Sequence, residues 1–191
     1  MSQVKILIKK LGAITNSEIE LNRFLLFSGE SGLGKSYTSF LAHYLYLLLI
    51  GSPRLNSLFA SHGWDYDELM SKKPSPGVLF EFSRDYLLAW LKKDAADYIR
   101  YMIGNPDSII DVDFEIPTLP DNFQFYFDEE LLGIKNSETY FVKLSLGTWV
   151  YRLPENSMKW GPQPFVSLLA AEFQKHILGL ENRRKNRLAP E

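Results

Sequence analysis

From Phe24 to Ser36 the chain reads Phe-Leu-Leu-Phe-Ser-Gly-Glu-Ser-Gly-Leu-Gly-Lys-Ser, an apolar run that enters Gly29-x-x-x-x-Gly34-Lys35-Ser36 without a break. A helix-like stretch, Tyr37 to Ile50, follows it. Strand, glycine-rich loop and helix in this order form the context in which a phosphate-binding loop works. Glycines at 29, 32 and 34 open backbone conformations that side chains forbid, so that successive N–H groups can converge on an anion. The loop also opens a helix, whose first-turn N–H groups and positive dipole end favour negative charge. Lys35 is expected to reach the β- and γ-phosphates of a nucleotide, and the Ser36 hydroxyl to hold Mg²⁺. At average residue usage, about one chain in a hundred of this length would carry these four residues at this spacing by chance. The expected binding residues are Gly29, Glu30, Ser31, Gly32, Leu33, Gly34, Lys35, Ser36 and Tyr37.

The chain has 191 residues, which suits one domain or one lobe of something larger. A hydrophobic content of 46% is ample for a core. The net charge of −2 gives no general attraction to nucleic acid, so such contact would need a local patch. The absence of cysteine excludes disulfides and cysteine-based metal or nucleophilic sites. Met1 to Lys10 alternates apolar and charged residues and lacks the apolar centre of a signal peptide. The longest apolar run, Phe40 to Ile50, is too short to span a bilayer. These features lead us to expect a soluble, cytoplasmic protein.

Strand character is expected over Val4 to Ile14 and Ser17 to Leu21, with a turn at Thr15-Asn16. Phe24 to Phe27, apolar throughout, reads as a third strand buried on both faces in a parallel sheet. The first helix should stop at Gly51-Ser52-Pro53 and a long amphipathic helix should run from Arg84 to Ile103. Further strands are expected at Ile109–Ile116, Phe123–Phe127, Tyr140–Leu146 and Trp149–Leu153, then a helix from Gln163 to Leu180 and a charged tail. The whole chain is thus expected to form a single domain or N-terminal lobe. Within it, a helical insertion spans about 53–106, a β-rich part about 109–153 and a C-terminal helix about 163–180.

Two strands before the buried strand, the loop and an apolar helix form an unusual preface. Val4-Lys-Ile-Leu-Ile-Lys-Lys-Leu-Gly-Ala-Ile, Glu18-Ile-Glu-Leu and the 24–36 segment together resemble the ATP-binding-cassette type of ATPase head. The closer likeness is to the SMC and RecF-like branch, often grouped with AAA-family ATPases. The resemblance implies an α/β P-loop NTPase fold of ABC-ATPase type, with added antiparallel strands and a helical insertion. It implies ATP with Mg²⁺ as cofactors and ATP hydrolysis at a site shared between two heads, hence a homodimer or a partner ATPase lobe. The resemblance covers about the first 50 residues. Family members usually carry Asn where this chain has Glu30-Ser31, and no Leu-Ser-Gly-Gly signature is present. Leu144-Ser-Leu-Gly147 is the nearest string and reads as structural, and Gln124 lies in a Phe-rich strand rather than a Gln-containing loop. This chain would then be a first lobe, a fragment or a naturally short member.

Hydrolysis also needs a carboxylate to help hold Mg²⁺ and a group to orient water. Phe123-Gln-Phe-Tyr-Phe-Asp128-Glu129 offers one candidate, with Asp128 near the metal and Glu129 as general base. The alternative makes Asp128-Glu129-Glu130 a solvated turn. Asp111 and Asp113 are weaker candidates. His43 reads as packed or exposed, and His62 and His176 are isolated from any metal spacing. Trp90, Tyr98 and Tyr101 read as the core face of a helix, and the Arg183–Arg187 cluster as a solvated end or a nucleic-acid contact. Other readings of the loop are a nucleotide-sensing module that does not hydrolyse ATP, and a small-molecule kinase. The kinase ranks lower because only Arg84 and Arg100 could serve a lid. A GTPase is disfavoured because no Asp-x-x-Gly or Asn/Thr-Lys-x-Asp follows the loop.

Overall fold

The computed structural model describes residues 5–21, 25–30, 32, 34–63, 68, 75–134, 137–154 and 162–178. Strands β1 (Lys5–Leu11) and β2 (Ile14–Glu20) form an antiparallel hairpin, and β4 (Val112–Glu115) pairs antiparallel with the other edge of β1. Ile6, Ile8 and Leu11 are buried while Lys5, Lys9 and Lys10 face solvent, which is the alternation a half-buried strand requires. It slips after Ile8, where the register against β4 shifts. On the wet face Lys5 pairs with Glu18 at 2.7 Å and Lys9 with Glu115 at 2.5 Å, stitching β1 to both neighbours. The hairpin turn is Gly12-Ala13, with Leu11 opposite Ile14, and not the expected Thr15-Asn16. Gly12 supplies a left-handed residue (φ +58) and its N–H donates to the Asp111 carbonyl at 3.2 Å. Asn16 is left-handed too (φ 49), but it sits within β2.

The second sheet has the order β3-β5-β6-β7, formed by β3 (Gly77–Ser83), β5 (Asn122–Ile134), β6 (Ser137–Leu146) and β7 (Trp149–Pro154). Every described pairing in it is antiparallel. Phe123, Phe125 and Phe127 point inward and are at most 1% exposed. Phe80 of β3 stacks on Phe125 with centroids 4.5 Å apart, and Phe82 on Phe123 at 5.2 Å. The outward Gln124 donates to Glu81 across the strands at 2.7 Å, so it is a sheet residue. β3 lies inside the span expected to be a helical insertion. Only seven residues long and hard against the next helix, it carried a weak sequence signal.

Among the described residues, four helices hold the sheets together. These are α1 (Lys35–Leu49), α2 (Arg54–Ser61), α3 (Arg84–Ile103) and α4 (Gln163–Leu178). The Ser83 hydroxyl accepts from the Tyr86 amide at 3.2 Å and starts α3 where the expected amphipathic helix begins. α3 packs on β3, β4 and α1, and α4 packs on β6, β7 and α1. The Gln174 amide donates to the Leu49 carbonyl at 2.7 Å and closes the C-terminus of α1. Residues 25–28 carry no strand pairing, and the Leu26 side chain is 78% exposed. The expected strand at Phe24–Phe27 is therefore not formed over 25–27, and Phe24 lies outside the described residues. An apolar sequence supplies strand propensity, but a ladder also needs a neighbour in register. The parallel sheet expected around this segment is absent from the described pairings.

A polar cluster clamps α2 to α3. Arg54 grips the Asp94 carboxylate with two hydrogen bonds, Nε to Oδ2 at 2.8 Å and Nη2 to Oδ1 at 2.6 Å. Its guanidinium also lies 5.4 Å from the Tyr98 ring centroid and 5.9 Å from that of Tyr44. Burial, and after it the Asp94 carboxylate, push the Tyr44 phenol well above its ordinary value. The resulting stability is present below about pH 10 and lost as pH rises from there, because the unfolded chain sheds a proton that the folded one keeps. Denaturant titrations should show stability falling by up to ~1.4 kcal/mol per pH unit from this one group, a component that Tyr44→Phe removes. Truncating the stacked, fully buried ring in Phe125→Ala should lower unfolding stability by about 3–5 kcal/mol in the same assay.

Candidate phosphate-binding loop

The described loop residues form a built turn. Gly29, Gly32 and Gly34 all have positive φ (134, 85 and 78), a region side chains rarely enter. The Lys35 ammonium folds back over the loop, donating to the Gly29 carbonyl at 2.8 Å and to the Glu30 carbonyl. At the far end the Gly34 carbonyl accepts from the Thr38 amide at 3.1 Å and from the Thr38 hydroxyl at 3.3 Å. Thr38 is 7% exposed, so this double acceptance is shielded from water.

α1 begins at Lys35, directly after the last loop glycine, and its N-cap Gly34 offers no side-chain hydrogen bond. It also has no acidic residue in its first turn. α3 differs, because Ser83 caps it and Asp85 sits in its first turn. The first N–H groups of any helix lack intrahelical acceptors, and the start of α1 has neither a side-chain cap nor an acidic residue to answer them, which is the arrangement an anion can use. Ser36 is exposed in that turn, and its hydroxyl is a hard oxygen donor of the kind Mg²⁺ takes alongside water and phosphate oxygens. Tyr37 is half-buried against the core, its ring about 3.7 Å from where a methyl on Gly12 would stand. Of the expected residues, Gly29, Glu30, Gly32, Gly34, Lys35, Ser36 and Tyr37 are described, while Ser31 and Leu33 lie outside the described residues.

Asp128 and Glu129 do not end a strand, as the sequence suggested. β5 continues to Ile134, which places both in mid-ladder opposite Lys143 and Val142, exposed and in the other sheet from the hairpin beside the loop. Asp128 accepts from the Glu129 amide at 2.9 Å. Asp113 pairs with Lys92 at 2.6 Å. His43 bonds the Tyr98 hydroxyl, His62 packs edge-on against Tyr86, and His176 bonds the buried Glu172 carboxylate at 2.9 Å. Among the described residues no group of three or more His, Asp or Glu could hold a metal ion. Leu144 and Leu146 of the Leu-Ser-Leu-Gly string are buried in β6, and Gly147 forms the turn into β7 (φ +58). Trp90 and Tyr98 pack into the core, whereas Tyr101 is 80% exposed. The Arg183–Arg187 cluster lies outside the described residues.

Sequence reasoning missed Thr38, Ile14 and Gly12. Thr38 was findable, being one helical turn beyond Gly34. Ile14 and Gly12 become neighbours of the loop only through the hairpin. No protein-family model, curated protein or solved structure matches this chain. No described helix is long and apolar enough to cross a membrane. Replacing the buried hydroxyl in Thr38→Val should cost about 1 kcal/mol by denaturant unfolding, with α1 retained by far-ultraviolet circular dichroism.

Proposed function

We propose that this chain binds the phosphates of ATP with Mg²⁺ at residues 29–36, as a P-loop domain of ABC-ATPase type. The observation that carries this reading is Lys35, folded across the Gly29 and Glu30 carbonyls at the uncapped start of α1. Its ammonium already stands over the mouth of the turn, so phosphate oxygens entering there would exchange two carbonyl partners for anionic ones. Such charge-assisted bonds are roughly twice as strong as neutral ones. Ser36 would hold Mg²⁺, which would neutralise charge on the phosphate oxygens.

Hydrolysis draws its carboxylate from a second lobe or chain in this proposal. The mid-strand positions of Asp128 and Glu129 favour that over a site complete in itself. A second reading, a nucleotide-sensing module without turnover, is favoured by the same two carboxylates. Restoration of turnover by an added lobe separates the two.

Thermal unfolding with Mg-ATP, with Mg-GTP and without nucleotide tests binding. Ligand at a hundred times its dissociation constant adds about 2.7 kcal/mol, or roughly 5–11 °C for a domain of this size. Lys35→Ala should lose the ATP-selective shift while its nucleotide-free midpoint stays within about 2 °C of the parent, since its bonds are exposed. An equal shift in the variant, or none in the parent, would sink the proposal.

A further inference from the structure

The last loop glycine is held from outside the loop as well as from within it. A methyl on Gly34 would stand 2.6 Å from Ile14 Cγ1 and 2.7 Å from Cδ1, so the Ile14 side chain lies against the Gly34 backbone. Ile14 is half-buried at the tip of the β1–β2 hairpin and packs on the core. Three contacts fix that tip in turn. Leu11 pairs with Ile14 across the turn, the Gly12 amide donates to Asp111, and the Tyr37 ring lies over Gly12. Gly34 is thereby gripped on two sides, its carbonyl by Thr38 and its Cα by Ile14.

A glycine at φ +78 has no side chain to hold it there, and an unbraced glycine regains more backbone freedom than any other residue. A loop that must be ordered on binding loses affinity by the freedom it surrenders. We propose that Ile14 is a positioning residue for the phosphate loop, and that the hairpin tip pre-organises Gly34 and the first turn of α1 for an anion. This rests on the phosphate-binding reading and assigns the hairpin a part in it. Ile14 touches no phosphate and acts through Gly34 alone.

The test combines calorimetric titration of the whole chain with pyrophosphate and with Mg-ATP, amide hydrogen exchange of residues 34–38 without ligand, and unfolding midpoints. Ile14→Ala should weaken both ligands by about tenfold, the loss expected from one backbone residue that must be ordered anew. It should also speed exchange at 34–38 while β1 and α3 stay protected. Ile14→Val, which keeps Cγ1 but no Cδ1 methyl, should fall between the two. A steric cycle tests the contact without any ligand. Gly34→Ala should destabilise the parent more than it destabilises the Ile14→Ala chain, where the two clashing carbons are gone and only the φ strain remains.

Unchanged affinity and unchanged exchange in Ile14→Ala would overturn the proposal, as would strictly additive costs in the cycle. A parent that binds neither ligand would overturn the phosphate reading and the positioning role with it. Binding that is lost in Lys35→Ala but untouched in Ile14→Ala would overturn the positioning role alone.

Discussion

Burial of α1 on nearly every side is the constraint on which the other parts depend. Leu41, Tyr44, Leu45 and Leu48 are fully buried, and Leu49 nearly so. A helix this apolar has to be covered by separate elements, and α3 and α4 do it. Each covering helix brings a sheet with it, α3 the β2-β1-β4 sheet through β4 and α4 the larger sheet through β6 and β7. The aromatic layer of β3 and β5 closes against Phe59 of α2 and Phe165 of α4, so the two sheets share one continuous core. The N-terminus of this buried helix is the end that carries the loop. A loop anchored to a deeply buried helix has a fixed exit direction, and that is what a backbone cradle for an anion needs.

The polar interior is sparse and placed at joints. Arg54 and Asp94 tie α2 to α3 beside the ring of Tyr44 from α1. Glu172, 4% exposed, accepts from Lys175 and His176, and lies under the β6–β7 turn. A methyl on Gly147 would come within 3.1 Å of both its carboxylate oxygens. A side chain there would have to push the carboxylate aside by a few tenths of an ångström, and φ +58 favours glycine as well. Buried charges are tolerated at such joints because each finds a counter-charge within its own or the adjoining helix.

Three of the described helices could be read before the structure because their signals are local, whereas α2 was covered only by the broad span 53–106. α1 is announced by an apolar run after a glycine loop and α3 by an amphipathic period from Arg84 to Ile103, and the helix expected from Gln163 is α4. The strands of the β-rich part were recognised in kind but not in extent. β5 runs seven residues past Phe127, because its length is set by the partner β6 rather than by its own composition. That difference moved Asp128 and Glu129 from a strand end to mid-ladder. The strand expected before the loop illustrates the opposite case, strong propensity without a described neighbour to pair with. Asp128 and Glu129 read as candidates because an aromatic strand ends in them, and that local pattern says nothing of what stands across the sheet.

The sequence alone determined the glycine spacing, the lysine and serine that follow it, and the helix that begins there. All of these act within about ten residues of one another through backbone geometry and a dipole. It likewise determined that this helix must be buried, because its composition leaves no polar face wide enough for water. Tertiary structure decided which elements cover that helix, that β3 joins β5, and that the β1–β2 hairpin tip rests on Gly34. It also decided that Thr38 closes the loop from within a shielded interior. Contacts such as Ile14 against Gly34 join residues twenty positions apart through the path of a hairpin, and no local period records that path.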